Sequence, residues 1–293
     1  MKNFLTIKEF NKSDLVDLIT LAKKFKSGDI GFYSKKTIHV LKLFLEPSTR
    51  TALSFEIACK NLGINFSILD LEDSSLTKGE SILETLKNVH SLGFNAAIIR
   101  IKEEGILSEI AGTLDMSIIN AGEGQLEHPS QALLDAITIN DEFQTLDGLK
   151  IGIVGDINHS RVASSNVDLL SKFDSEVRVF QPSEFGELND SKYILEDLER
   201  IYAKSDVVMV LRNQFERHKN IEVSKNEYLE KYGLNRKRLK NLKKDSIIMH
   251  PGPFNRGIEI CDDVLTHEKC RFYKQVENGV YARMAILKEV LNG

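Results

Sequence analysis

Short apolar runs rich in β-branched residues alternate along the chain with segments whose apolar positions recur at helical spacing. Residues 38–45 (Ile-His-Val-Leu-Lys-Leu-Phe-Leu) read as a strand. Residues 49–62 read as a helix with Leu53, Ile57 and Ala58 on one face and Gly63 as its stop. Further strands are predicted near 65–70, 96–101 and 116–120, and helices over 13–26, 80–92, 105–114 and 129–142. A second series opens after Asp147-Gly148. Ile151-Gly152-Ile153-Val154-Gly155 has the continuous apolar character of a buried strand, and a helix follows over 160–172. Strand 176–180, helix 191–204, strand 206–211, a helix near 225–243, strand 246–250 and a last helix over 278–291 complete the pattern.

Alternating strands and helices imply mostly parallel sheets covered by helices, hence an α/β fold. Two series predict two α/β domains, each with a four- or five-stranded sheet. No repeat, low-complexity run or long Pro/Gly linker separates them, so the expectation is two domains that hinge rather than tumble independently.

The length of 293 residues suits two domains and a sizeable core. With 42% hydrophobic and 28% charged residues the composition is ordinary for a globular protein, and a net charge of −4 gives no reason to expect nucleic acid or an anionic membrane. No apolar run approaches membrane-spanning length, and the first residues lack the apolar core of a signal peptide. The three cysteines, Cys59, Cys261 and Cys270, form no C-x-x-C pair. Free thiols in a reducing cytoplasm are therefore expected, with no metal site. The basic cluster around Arg236, Lys237 and Arg238 reads as a solvated helix face.

Candidate chemistry begins at Glu46-Pro47-Ser48-Thr49-Arg50-Thr51, between a predicted strand and a predicted helix. The first amides of a helix have no internal partner and lie at the positive end of its dipole, so this turn suits phosphate. Hydroxyls at 48, 49 and 51 add donors, and Arg50 adds a planar fork matched to phosphate oxygens. On this segment alone, an ordinary helix cap with an exposed arginine is an equal alternative.

The flanking sequence changes that balance. Phe44 to Thr51 with Ser54-Phe55-Glu56 resembles the carbamoyl-phosphate signature of the carbamoyltransferase family. Five more motifs follow in the family's order: Ser74 to Ser81; His128-Pro129-Ser130-Gln131; Gly155-Asp156 with His159 to Ala163; Leu211 to Gln214 with Glu216-Arg217; and His250-Pro251-Gly252-Pro253 with Asn255-Arg256-Gly257. His-Pro-Ser-Gln and His-Pro-Gly-Pro resemble the aspartate branch rather than the ornithine branch. The charge logic agrees: two arginines, Arg161 and Arg212, suit the two carboxylates of aspartate.

The resemblance implies a domain of residues 1–135 plus 278–293 for carbamoyl phosphate, the C-terminal helix returning to it, and a domain of residues 136–277 for aspartate. Ser48, Thr49, Arg50 and Thr51 would hold the phosphate. Arg100 would bridge phosphate and carbonyl oxygen, with His128 and Thr51 donating to that oxygen. Gln131 and the backbone around Pro251, Gly252 and Pro253 would face the carbamoyl nitrogen, and the bond before Pro253 would be cis. Arg161 would take the α-carboxylate of aspartate, and Arg212 with Gln214 the β-carboxylate. Ser75 and Lys78 would reach a neighbouring subunit's site, although whether Ser74 or Ser75 makes the contact stays open. The stretch 213–233 would move as the domains close.

The resemblance further implies a homotrimer with shared sites, free to associate with regulatory chains or dihydroorotase. No cofactor is called for. Glu123 and Glu127 stand where relatives usually have aspartate and glutamine, and an acid beside His128 could alter its titration. Arg283 is read as structural. Two rivals are weaker. A dinucleotide-binding dehydrogenase would need a G-x-G-x-x-G that Gly155-Asp156 does not open. A non-catalytic scaffold would have no use for so full a set of anion-binding residues.

Overall fold

The computed structural model describes residues 1–292 except 33, 35, 71–73, 189 and 214–224. The chain divides into two compact units, Met1–Ile137 with Val276–Gly293, and Thr138–Gln275. The first contains α1 (Lys12–Ser27), β1 (His39–Phe44), α2 (Thr49–Asn61), β2 (Asn65–Leu69), α3 (Ile82–Ser91), β3 (Ala96–Ile101), α4 (Ile106–Thr113), β4 (Ser117–Glu123) and the start of α5 (Pro129–Phe143). The second contains β5 (Lys150–Val154), α6 (Arg161–Leu170), β6 (Glu176–Phe180), α7 (Leu198–Lys204), β7 (Val207–Val210), α8 (Lys225–Lys231), α9 (Arg236–Asn241) and β8 (Ile247–Met249). The final helix, α10 (Phe272–Leu291), begins in the second unit and supplies its later residues to the first.

Each unit has a four-stranded, all-parallel sheet, ordered β2-β1-β3-β4 in the first and β6-β5-β7-β8 in the second. Strands β3, β4, β7 and β8 are buried almost throughout, as expected where helices cover both faces of a sheet. Leu43, Ile99, Ile101, Leu107 and Ile118 anchor the core of the first unit. Val208, Ile201, Tyr202, Leu234 and Ile260 anchor that of the second.

In both sheets the chain reverses its direction of progress between two neighbouring strands, β1/β3 and β5/β7. Connections leave such a pair toward opposite sides, opening a crevice at the strands' carboxyl ends. Gly155, at the end of β5, shows how closely the second crevice is packed: its φ is +138°, and a Cβ there would lie 2.9 Å from the Cβ of Leu211.

The structure departs from the sequence reading in several places, and α10 starts at Phe272 rather than at 278. Helix 191–204 shrinks to Leu198–Lys204, because Ile194 and Leu195 pair with the edge strand β6 instead (Val179 N to Ile194 O 2.9 Å, Glu196 N to Val179 O 3.0 Å). Asp197 then starts the helix by accepting from the Arg200 amide. The helix near 225–243 is two helices, α8 and α9, with Asn235 capping the second by accepting from Arg238 N. Arg238 is buried rather than solvated: it donates to the carbonyls of Glu230, Lys231 and Gly233 and pairs with Glu199 at 2.8 Å. Finally, α2 buries Thr51, Ser54, Phe55, Ala58 and Cys59, and leaves Leu53 and Ile57 exposed at 52% and 46%.

Candidate active site

The turn after β1 delivers Ser48 to Thr51 to the β1/β3 crevice. Ser48 is the N-cap of α2, yet its side chain makes no cap hydrogen bond. The start of this 13-residue helix, with the positive end of its dipole, therefore receives no cap from the Ser48 side chain. Thr51 is buried and Arg50 half-buried, whereas Thr49 is exposed. Ser54 folds its hydroxyl back onto the carbonyl of Arg50 at 2.7 Å, bracing the turn that carries the arginine.

Arg100 ends the neighbouring strand β3, and its partners in the ladder place it beside Phe44 at the end of β1. Its guanidinium is held from two sides, by Ala121 O at 3.3 Å and by the Glu46 carboxylate at 3.5 Å. Glu46 therefore helps fix the direction of the arginine and offsets its charge. The sequence reading assigned Glu46 no role, although it lies within the signature that drew attention to the turn.

His128 and Gln131 open α5. His128 is buried, with Nδ1 3.4 Å from the Ser130 hydroxyl, and its carbonyl accepts the Gln131 amide at 2.9 Å. The carboxylate of Glu127 engages the N-terminal segment. Its oxygens accept from Thr6 Oγ1 at 2.5 Å and Ile7 N at 2.9 Å, tying down the N-terminal segment. Glu123 accepts from Leu107 N at 3.1 Å, a buried carboxylate at the positive end of α4.

Ser75 and Lys78 lie on a short 3-10 turn, Ser75–Lys78, and both are exposed, while Ser74 is buried. Leu76 anchors the turn against the core of the first unit. The side chains of Ser75 and Lys78 make no hydrogen bond or ion pair with any described residue of the same chain.

In the second unit, Arg161 is the first residue of α6, and Ser160 caps that helix by accepting from Ala163 N. Arg212 follows Leu211, just beyond β7. Both arginines thus leave the carboxyl ends of the β5/β7 pair. Buried Asp156 holds His159 Nδ1 at 2.8 Å, consistent with a structural histidine. Gln214 lies outside the described residues, as does the segment 214–224 within the stretch expected to move.

The Gly252–Pro253 bond is cis, as the resemblance implied. The loop around it is built on two buried side chains to which the sequence reading gave no role, His250 of the quoted motif and Glu259. His250 Nδ1 accepts from Gly252 N at 2.9 Å, which leaves the ring proton on Nε2, 3.3 Å from Glu259. Glu259 also accepts from the backbone and side chain of Asn255, and Asn255 donates to Asn213 O at 3.1 Å.

Residues 2–141 match the family model described as aspartate/ornithine carbamoyltransferase, carbamoyl-P binding domain. Residues 147–290 match its counterpart, the Asp/Orn binding domain. The chain belongs to the aspartate/ornithine carbamoyltransferase family. Among curated members, the aspartate carbamoyltransferase catalytic subunit of Listeria monocytogenes serotype 4b is 43% identical over 296 residues, covering 99% of this chain and 96% of that protein. Among solved members, the catalytic subunit of M. jannaschii aspartate transcarbamoylase superposes with a TM-score of 0.86 at 33% identity, over 100% of this chain and 98% of the other. Aspartate transcarbamoylase from Trypanosoma cruzi in complex with carbamoyl phosphate and aspartate gives 0.86 at 28% identity, over 99% and 97%.

Proposed function

We infer that this chain is an aspartate carbamoyltransferase: it transfers the carbamoyl group of carbamoyl phosphate to the amino group of L-aspartate. The products are N-carbamoyl-L-aspartate and phosphate, and the reaction belongs to pyrimidine nucleotide biosynthesis. Ser48, Thr49, Arg50 and Thr51 at an uncapped helix start, beside the strand end that carries Arg100, are the observation that carries this reading.

Ser48 to Thr51 and Arg100 take the phosphate of carbamoyl phosphate in the first unit. Thr51, Arg100 and His128 direct donors at the carbonyl oxygen, where negative charge grows as the amine attacks. Donors fixed in advance stabilise that charge more than the ground state, and each such donor is commonly worth on the order of 10²–10³ in rate. Gln131 and the Pro251–Pro253 backbone meet the carbamoyl NH₂. In the second unit, Arg161 takes the α-carboxylate of aspartate, and Arg212 with Gln214 the β-carboxylate. Holding the amine against the carbon this way replaces a bimolecular encounter by a positioned one. The amine nitrogen bonds to the carbamoyl carbon, the bond from that carbon to the phosphate oxygen breaks, and the departing phosphate accepts the amine proton.

The active assembly is a cytoplasmic homotrimer with shared sites. Exposed Ser75 and Lys78 supply a hydroxyl and a point charge to a second copy's phosphate and aspartate carboxylate. A head-to-tail interface closing at three copies needs an apolar patch, and exposed Leu53 and Ile57 on α2 offer one.

Purified protein given carbamoyl phosphate and L-aspartate should release phosphate and ureido product one for one. Phosphate release without ureido product would make the chain a hydrolase and sink the reading.

A further inference from the structure

Behind Gln131, one turn further along α5, lies a carboxylate to which the proposed chemistry assigns no role. Asp135 is fully buried, and its Oδ1 accepts a hydrogen bond from Gln131 Nε2 at 3.0 Å. A carboxylate only accepts, so the amide must turn its NH₂ toward Asp135 and its carbonyl oxygen away. That oxygen, Oε1, takes no hydrogen bond from any described residue.

Asp135 has a cationic group of α10 as an electrostatic neighbour. Arg283 of α10 is buried, donates to Gly279 O at 2.9 Å, and lies over the Phe55 ring of α2 at 5.0 Å. Burial pulls its guanidinium down to about 9, and the charge of Asp135 works in the opposite direction. Gly279 leaves room for the arginine, since a Cβ there would lie 2.6 Å from Nη1. A buried guanidinium thus lies within electrostatic reach of a buried carboxylate, and that carboxylate orients an amide beside the candidate site.

We propose that Asp135 is the positioning residue that selects an NH₂-bearing acyl phosphate, by locking Gln131 so that it presents an acceptor to the carbamoyl nitrogen. The inference rests on the reading of Gln131 given under the proposed function. An acyl phosphate with a methyl group in place of NH₂ would leave Oε1 unpaired on binding, which costs affinity. Neutral amides at both positions would remove the lock. With Asp135→Asn, the new side-chain NH₂ could donate to Gln131 Oε1, the glutamine could flip, and its own NH₂ would face the carbamoyl NH₂.

The test compares wild type with Asp135→Asn and with Asp135→Asn/Arg283→Met. The double variant removes both buried charges together and keeps volume, a replacement that proteins often tolerate. The KM for carbamoyl phosphate is expected to rise about tenfold, a typical effect of losing one hydrogen bond at a buried site. The inhibition constants of acetyl phosphate and of inorganic phosphate should stay within about twofold, because neither ligand uses the Gln131 oxygen. Selectivity for carbamoyl over acetyl phosphate therefore falls about tenfold. Equal losses for all three ligands, or unchanged selectivity in a folded variant, would overturn the proposal. Wild type inactive with carbamoyl phosphate and aspartate would instead overturn the reading of the site, so the two failures are separable.

Discussion

Replacing Glu127 by glutamine keeps shape and removes one charge, and the structure says where the cost falls. Both carboxylate oxygens are occupied, by the Thr6 hydroxyl and the Ile7 amide, and the residue is 6% exposed. Glutamine offers one oxygen and one NH₂ to two donors. One contact becomes donor against donor unless the Thr6 hydroxyl turns round, and that hydroxyl already accepts from Lys8 N at 3.1 Å. Losing a hydrogen bond to a charged group costs about 1.5–3 kcal/mol. For a chain of this size each kcal/mol moves the melting midpoint by roughly 2–4 °C. A drop of about 3–12 °C is expected, with faster hydrogen exchange at the Ile7 amide. Exchange in β4 should change less, because Phe4 and Asn120 hold that part through separate bonds. Thermal denaturation with amide exchange by mass spectrometry reads both. An unchanged midpoint and unchanged Ile7 exchange would refute the idea that Glu127 clamps the N-terminal segment, and a shifted pH optimum would return it to the role suggested by its place beside His128.

Other outcomes follow from the same geometry. Arg50→Ala should cut turnover by at least about 10²-fold with an unchanged circular dichroism melt, since the side chain is only half-buried; a lost fold would mark it as structural. Leu53→Asp with Ile57→Asp should shift the assembly toward monomer in sedimentation and lose activity with it; a stable trimer would remove α2 from the interface. Burial, and then nearby Glu56, push the Cys59 thiol from 9.0 up to about 12. Unfolding between those values releases a proton, so stability should fall as pH rises above 9, by at most about 1.4 kcal/mol per unit from this group. Cys59→Ala should flatten that alkaline slope in urea titrations; an equal slope would show that the thiol does not contribute.

Most of the fold was legible because strands of parallel sheets covered on both faces are continuous apolar runs, as in Ile98-Ile99 and Val207 to Val210. The phosphate turn was legible because strand, hydroxyls, arginine and helix are contiguous. Ile194 and Leu195 were misread because an apolar pair does not distinguish a helix face from an edge bridge. Leu53 and Ile57 fit a helical stripe, yet Thr51, Ser54 and Phe55 form the buried face; period locates a stripe but does not say what covers it. Supporting residues were hidden for a different reason. Glu127 finds its partners about 120 positions away, and Glu46 shows its use only when β1 and β3 pair. Asp135 stands at helical spacing from Gln131, a signal that gains meaning only once its burial is known.

The most direct test of the central claim is to measure ureido product from purified protein and carbamoyl phosphate with L-aspartate and L-ornithine in separate reactions. Product with aspartate and none with ornithine is the predicted result. Product with ornithine alone would keep the fold and the phosphate turn but contradict the assignment of Arg161 and Arg212 to two carboxylates.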